Sequence, residues 1–230
     1  MNLIRTGVEG LDELLGGGIP NGHVVTVLGG FGTGKTTLGL QFMKEGLENG
    51  EKCIFITLEE TDESILENAS SFGWDLGKYK DQNLSLVKLE PADMKSTLTK
   101  VRSELPSYIK KFGAQRVVMD SVSLLSMMFP DESERRVHLF DLCQVMKSSG
   151  ATSILTAESK DENPRSSKDG LVEYVSDGVI SLQFHQPKGS SDVQLIIQVV
   201  KMRRRAHSRR MKPYSITGEG MVVHTEAEVF

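Results

Sequence analysis

Residues 29–36 read GGFGTGKT, a full match to the Walker A pattern Gly-x4-Gly-Lys-Thr, and the chemistry of that pattern is phosphate binding. Glycines accept torsions and close approaches that a Cβ would block, so consecutive backbone N–H groups can face phosphate oxygens. Gly30, Gly32, Thr33 and Gly34 supply that lining, and Thr37 stands just inside the helix that must follow. The positive end of such a helix meets the same anion. Lys35 is expected to reach the β- and γ-phosphates of a nucleoside triphosphate, and the Thr36 hydroxyl to ligate Mg2+.

A second piece of the same chemistry is RVVMD at 116–120, an apolar run that delivers Asp120 to the carboxyl end of a strand. There it can hold the Mg2+ hydration shell. Glu59 and Glu60 follow another apolar run, KCIFITL at 52–58, and a carboxylate at that edge can deprotonate a water in line with the γ-phosphate. Two adjacent acids point different ways, so one of them is expected to be the base, and Glu59 is also a candidate Mg2+ ligand. Apolar runs ending in Asp and acidic turns are common on their own; the phosphate loop gives these two their meaning.

Positioning these residues requires a sheet whose strands end together. Short β-branched runs alternate with amphipathic stretches, the pattern of a mostly parallel α/β sheet with helices on both faces. Strands are expected at 23–30, 52–58, 84–89, 116–120 and 151–157. Helices are expected at 35–48, from a Thr61 start onward, near 94–112, and at 132–149. After residue 178 the texture changes to VISLQF, VQLIIQVVKM, KPYSIT and MVVHT, which predicts antiparallel hairpins extending one edge. Trp74 falls in a turn and is expected to pack over the preceding helix.

The 230 residues fit one α/β domain spanning 1–230. With 38% hydrophobic and 25% charged residues, the composition is that of an ordinary globular protein. Its apolar runs fall short of a membrane span. The start, MNLIRTGVEGLDELLGG, does not resemble a secretory signal, so a cytoplasmic location is expected. Cys53 and Cys143 are far apart in apolar surroundings, as buried free thiols would be, and the five histidines show no ligand spacing. Charge is unevenly spread: residues 201–212, KMRRRAHSRRMK, hold seven bases and no acid in a chain of net charge −4. Such a strip attracts nucleotide phosphates, nucleic acid or carboxylates of a neighbouring subunit.

Together these pieces resemble the KaiC-like branch of the RecA/RadA ATPases over nearly the whole chain. The resemblance is carried by TGVEGLDELLGGGIPNG, GGFGTGKTT, FITLEE, SFGWDL, VVMDSVSLL, LTAESK, VEYVSDGVI and VVKMR. It implies a RecA-like P-loop fold and a homo-oligomeric ring, usually hexameric, with Mg2+ and ATP bound between adjacent subunits. It also implies Glu59 as the catalytic base, with Glu60 beside it, and Ser71 and Phe72 at the adenine. From a neighbouring copy, Lys201 and Arg203 would reach the γ-phosphate, flanked by Met202, Arg205 and His207. The family's autophosphorylated Ser-Thr pair would fall at Glu173-Tyr174, which cannot repeat that chemistry, although Ser176 is a possible acceptor. The family's Gly-Thr after KMR is replaced by Arg204-Arg205.

The leading functional reading is a slow, regulatory ring ATPase whose assembly state or partner binding is the output. Its rival is a RecA/RadA-type DNA-binding ATPase in which RRRAHSRR grips the phosphate backbone. Against the rival stand the acidic body and an aromatic content of 6%, which leaves few platforms for stacking bases.

Overall fold

The structure, a computed structural model, describes residues 2–89, 103–186 and 192–229. An N-terminal segment carries β1 (Leu3–Ile4), α1 (Leu11–Leu14) and β2 (Ile19–Pro20), and leads into β3 (Val24–Gly29) and α2 (Lys35–Glu48). Next come β4 (Cys53–Thr57), α3 (Asp62–Ser71), β5 (Leu84–Lys88), α4 (Leu105–Phe112) and β6 (Arg116–Asp120). The chain continues through α5 (Val122–Met127), α6 (Glu132–Ser149), β7 (Thr152–Glu158) and α7 (Val172–Val175). It ends in β8 (Gly178–His185), β9 (Gln194–Met202), β10 (Lys212–Thr217) and β11 (Gly220–Val223).

Among the described residues, nine strands form one sheet in the order β11-β10-β9-β8-β3-β7-β6-β4-β5, while β1 and β2 pair separately. From β8 to β5 every neighbouring pair is parallel; β9, β10 and β11 add on antiparallel. This is the mostly parallel sheet with antiparallel C-terminal hairpins expected from the sequence. The helix expected near 94–112 lies in part outside the described residues, and α4 is its described portion. The short α5 and α7 carry too few residues to show helical periodicity and were not foreseen.

Both faces of the sheet are covered, and the strands show why. Along β4, Cys53 and Phe55 join one hydrophobic cluster with Phe42 and Val118, while Ile54 and Ile56 join the other with Val117, Met119 and Leu142. A two-residue period with both sets apolar demands helices on each side. Capping fixes where two of those helices begin. The Thr61 hydroxyl accepts the Ser64 N–H at 3.3 Å, and the Asp131 carboxylate accepts that of Glu134 at 3.0 Å. Cys53 and Cys143 are buried, and burial pushes both thiols up to about 12.

Trp74 stacks on Phe72 with ring centroids 4.8 Å apart and presses on Gly220, so it braces the β10–β11 turn as well as the end of α3. Arg116, at the start of β6, is only 2% exposed. Its guanidinium pairs with Glu51 at 2.6 Å, donates to the carbonyls of Arg5 and Phe42, and lies over the Phe42 ring. Breaking a buried pair strands a charge. Glu51→Ala is therefore expected to cost about 3 kcal/mol, or roughly 6–12 °C of melting midpoint for a chain of this size. An unchanged midpoint in a thermal melt would show that the two backbone carbonyls suffice for the guanidinium.

Candidate functional site

The parallel strands β3, β4, β6 and β7 bring their carboxyl ends to one rim, and the loop after β3 folds back there before α2 begins. Gly34 shows why that bend needs glycine. Its φ is +82°, and a Cβ would approach Ile216 Cδ1 to 2.6 Å. The C-terminal hairpin thus props the loop from below. Tyr214 of β10 donates its hydroxyl to the Thr33 carbonyl at 2.7 Å, and buried Gln41 ties α2 to Met221 and Gly7. The sequence predicted this hairpin only as an edge extension.

Above the loop lies a cavity of about 210 Å3 whose walls include Gly32, Lys35, Thr36, Glu59, Glu60, Asp120 and Glu158. Lys35 Nζ donates to the carbonyls of Gly29 and Gly30 at 3.0 and 2.9 Å. Burial holds its pKa below the ordinary lysine value, against the pull of Asp120, Glu158 and Glu59. Thr36 Oγ1 donates to Asp120 Oδ2 at 2.6 Å, and Thr156 donates to the other carboxylate oxygen. A hydroxyl and a carboxylate, oriented together at a phosphate loop, form an oxygen donor set that suits Mg2+. Among the described residues no group of three or more His, Cys, Asp or Glu could hold a metal. A cation between Thr36 and Asp120 would thus complete its shell with nucleotide oxygens and water.

The two adjacent acids are distinguished by their surroundings. Thr57 Oγ1 accepts the N–H groups of Glu59 and Glu60 at 3.2 and 2.9 Å, which fixes the turn. The Glu60 carboxylate accepts Ser64 Oγ at 2.7 Å. Glu59 is exposed toward the cavity, and its pKa is raised by partial desolvation first, then by Asp120, Glu158 and Glu60. Glu158 was missed in the sequence. Its signal was there, an apolar strand ending in an acid as at Asp120, but nothing marked β7 as the strand beside β3.

Other expected site residues lie elsewhere. Thr33 is buried with its hydroxyl on the Gly30 carbonyl, and Thr37 is buried in the first turn of α2. Ser71 and Phe72 stand at the end of α3, outside the cavity wall. Lys201 and Arg203 are not in this cavity. Register pairs Lys201 with Val179 and Met202 with Gly178, level with Val25, four residues from Gly29; that is about 13 Å along the strand. Lys201 Nζ donates to the carbonyls of Glu173 and Ser176, and Arg203 reaches Tyr174 O at 2.9 Å and Asp177 at 3.4 Å.

Burial narrows what three of the expected residues can offer. The Met202 side chain is buried against Gly178, leaving only its backbone for any contact across an interface. Ser176 is fully buried, its hydroxyl between Val172 O and Thr26 Oγ1, and so cannot accept a phosphoryl group in this fold. The cationic strip is also shorter than its sequence, because Lys212 turns inward to Ala227 O and Glu228. Arg205 bonds the Gly16 carbonyl, and His207 Nδ1 lies 2.8 Å from Ser208 O.

Comparison with known proteins identifies the family. The chain is 34% identical to a UPF0273 protein of Aeropyrum pernix, over 98% of this chain and 95% of that one. It is 33% identical to the circadian clock oscillator protein KaiC of Synechococcus elongatus, matching 95% of this chain but 43% of the clock protein. The crystal structure of a KaiC-like protein from Pyrococcus horikoshii superposes with a TM-score of 0.85 at 32% identity, covering 97% and 99% of the two chains. A family model described as the KaiC ATPase matches residues 4–228, nearly the whole chain from β1 to beyond β11, and so the chain belongs to the KaiC ATPase family.

Proposed function

We propose that this chain binds ATP with Mg2+ in the cavity above residues 29–36, hydrolyses it to ADP and phosphate, and does so in a ring, hexameric as in the family it resembles. The observation that carries the reading is the convergence of Lys35, Thr36, Asp120 and Glu59 on one cavity of about 210 Å3. In this reading the loop amides and Lys35 bind the β- and γ-phosphates. Glu59 takes the proton of the attacking water. Thr36 and Asp120 would hold Mg2+, which neutralises phosphate charge when bound, with Glu59 as a further candidate ligand.

The separation of Lys201 and Arg203 from the cavity supports a site shared between copies. A cation about 13 Å down the strand cannot reach the terminal phosphate of its own chain, but it can serve a neighbour's. Catalysis is proposed to be slow and regulatory, with assembly or partner binding as the output, and without autophosphorylation of the clock type.

Exposed Arg204, Arg209 and Arg210 favour a second reading, a DNA-binding ATPase. Turnover measured with and without single-stranded DNA separates the two. Stimulation that falls steeply with salt supports DNA binding, and indifference supports the regulatory ring.

Lys35→Ala is the direct test of the pocket. It is expected to abolish ATP binding in titration calorimetry and nucleotide-dependent assembly in sizing experiments. Micromolar affinity in that variant would place the nucleotide elsewhere.

A further inference from the structure

Four carboxylates, Glu59, Glu60, Asp120 and Glu158, line the cavity with a single lysine. A polyphosphate entering such a space meets more negative than positive charge, and a divalent cation offsets only part of it. Glu158 is the acid whose charge is already balanced, because Lys168 pairs with it. The Lys168 ammonium also lies 5.4 Å from the centroid of the Phe31 ring, at the tip of the phosphate loop. Lys168 is close enough to Lys35 to help depress its pKa. Two contacts, to the Glu158 carboxylate and the Phe31 ring, thus place this cation at the mouth of the cavity.

The backbone holds it there. Residues 158–168 double back as a narrow hairpin, with Lys168 N–H on Glu158 O and Lys160 N–H on Ser166 O, both at 2.9 Å. Ser159 and Ser167 form an antiparallel bridge between them. The base of the hairpin is clamped by Glu173, whose carboxylate accepts Ser166 Oγ, Ser167 N–H and Ser167 Oγ at 2.5, 3.1 and 2.5 Å. A lysine ammonium has three donors, so one bond to Glu158 leaves capacity for a ligand oxygen.

We propose that Lys168 is a second phosphate-binding cation of the same chain, held at the cavity mouth by Glu158 and Phe31 and contacting the terminal phosphate of a bound nucleoside triphosphate. The inference rests on the proposed nucleotide site. The loop amides and Lys35 meet the β- and γ-phosphates from the floor of the cavity, whereas Lys168 stands over the rim formed by Glu158 and Phe31, on the outward side of the last phosphate. A contact of that kind discriminates triphosphate from diphosphate, because ADP lacks the group it binds.

The test is a titration of the full chain with MgATP and with MgADP, in the wild type and in Lys168→Gln, Lys168→Arg and Glu158→Gln. The Lys168 side chain is 44% exposed, so its variants are expected to fold, which circular dichroism checks. Lys168→Gln is expected to weaken ATP about tenfold, the order of a charge-assisted hydrogen bond near solvent, and ADP less than about twofold. Lys168→Arg should keep the ATP preference, and Glu158→Gln should bind ATP at least as tightly as the wild type. Equal weakening of both nucleotides in Lys168→Gln, or loss of ATP affinity in Glu158→Gln to match it, would make the pair a brace for the hairpin and overturn the proposal. A wild-type chain that binds neither nucleotide overturns the proposed site itself, and Lys168's role with it. Wild-type binding with an unchanged ATP-to-ADP ratio in Lys168→Gln overturns only the role of Lys168.

Discussion

Glu59→Gln is expected to bind MgATP at least as tightly as the wild type and to hydrolyse it about a hundredfold to ten-thousandfold more slowly, the range contributed by a positioned general base. The amide keeps the shape and removes the proton acceptor. Glu60→Gln is expected to retain most of the turnover, because the Glu60 carboxylate already accepts Ser64 Oγ in the first turn of α3. The pH dependence follows from the same surroundings. Desolvation, then Asp120, Glu158 and Glu60, raise the pKa of Glu59, and a base works only when deprotonated. Turnover should therefore fall on acidification through a pH above the ordinary glutamate value, and that acid limb should be missing from the residual activity of Glu59→Gln. Phosphate release followed across pH measures both effects. Full turnover in Glu59→Gln would move the base to Glu60 or to another group.

How far the sequence could lead depends on whether a feature is local. The phosphate loop was legible because its chemistry is a contiguous string, and the strands around it because both faces are buried and their runs are plainly apolar. Asp120 was legible as an acid closing such a run. Glu158 closes an equivalent run, but nothing local tied that run to the site, since the strand order that sets β7 beside β3 depends on crossovers that no local pattern encodes. Lys168 meets Glu158 and Phe31 only through a hairpin clamped by Glu173, and the burial of Ser176 depends on Thr26, 150 residues away. Gly34 was rightly read as a torsional requirement. That it also makes room for Ile216 could not be seen before the C-terminal hairpin was placed beneath it. The choice between Glu59 and Glu60 was left open by adjacency; the structure separates their surroundings, since the Ser64 hydroxyl bonds Glu60 alone of the two.

The proposed sharing of the site between copies makes the other large prediction. Arg203→Ala is expected to reduce turnover about a thousandfold, at the lower end of what a cation lent in trans contributes in nucleoside triphosphatases, and to leave ATP binding in place. Arg203 can be lent because, among the described residues, its side chain is held in its own chain only by a bond to the Tyr174 carbonyl and one ion pair. It is exposed, and its ion pair with Asp177 at 3.4 Å is a surface contact of the sort that contributes little. Lys201 is different. Its ammonium is committed to the carbonyls of Glu173 and Ser176 near the end of α7, so Lys201→Ala should disturb the edge that presents Arg203 as well as any direct contact. Because the base and the lent cation would belong to different copies, inactive Glu59→Gln and Arg203→Ala chains should complement each other. In randomly mixed rings with a head-to-tail interface, about a quarter of the sites join an intact Glu59 to an intact Arg203, and the same fraction of wild-type turnover should return. Mixed rings that form and stay inactive would mean that the cavity is completed within one chain, and that the cationic edge serves another anion.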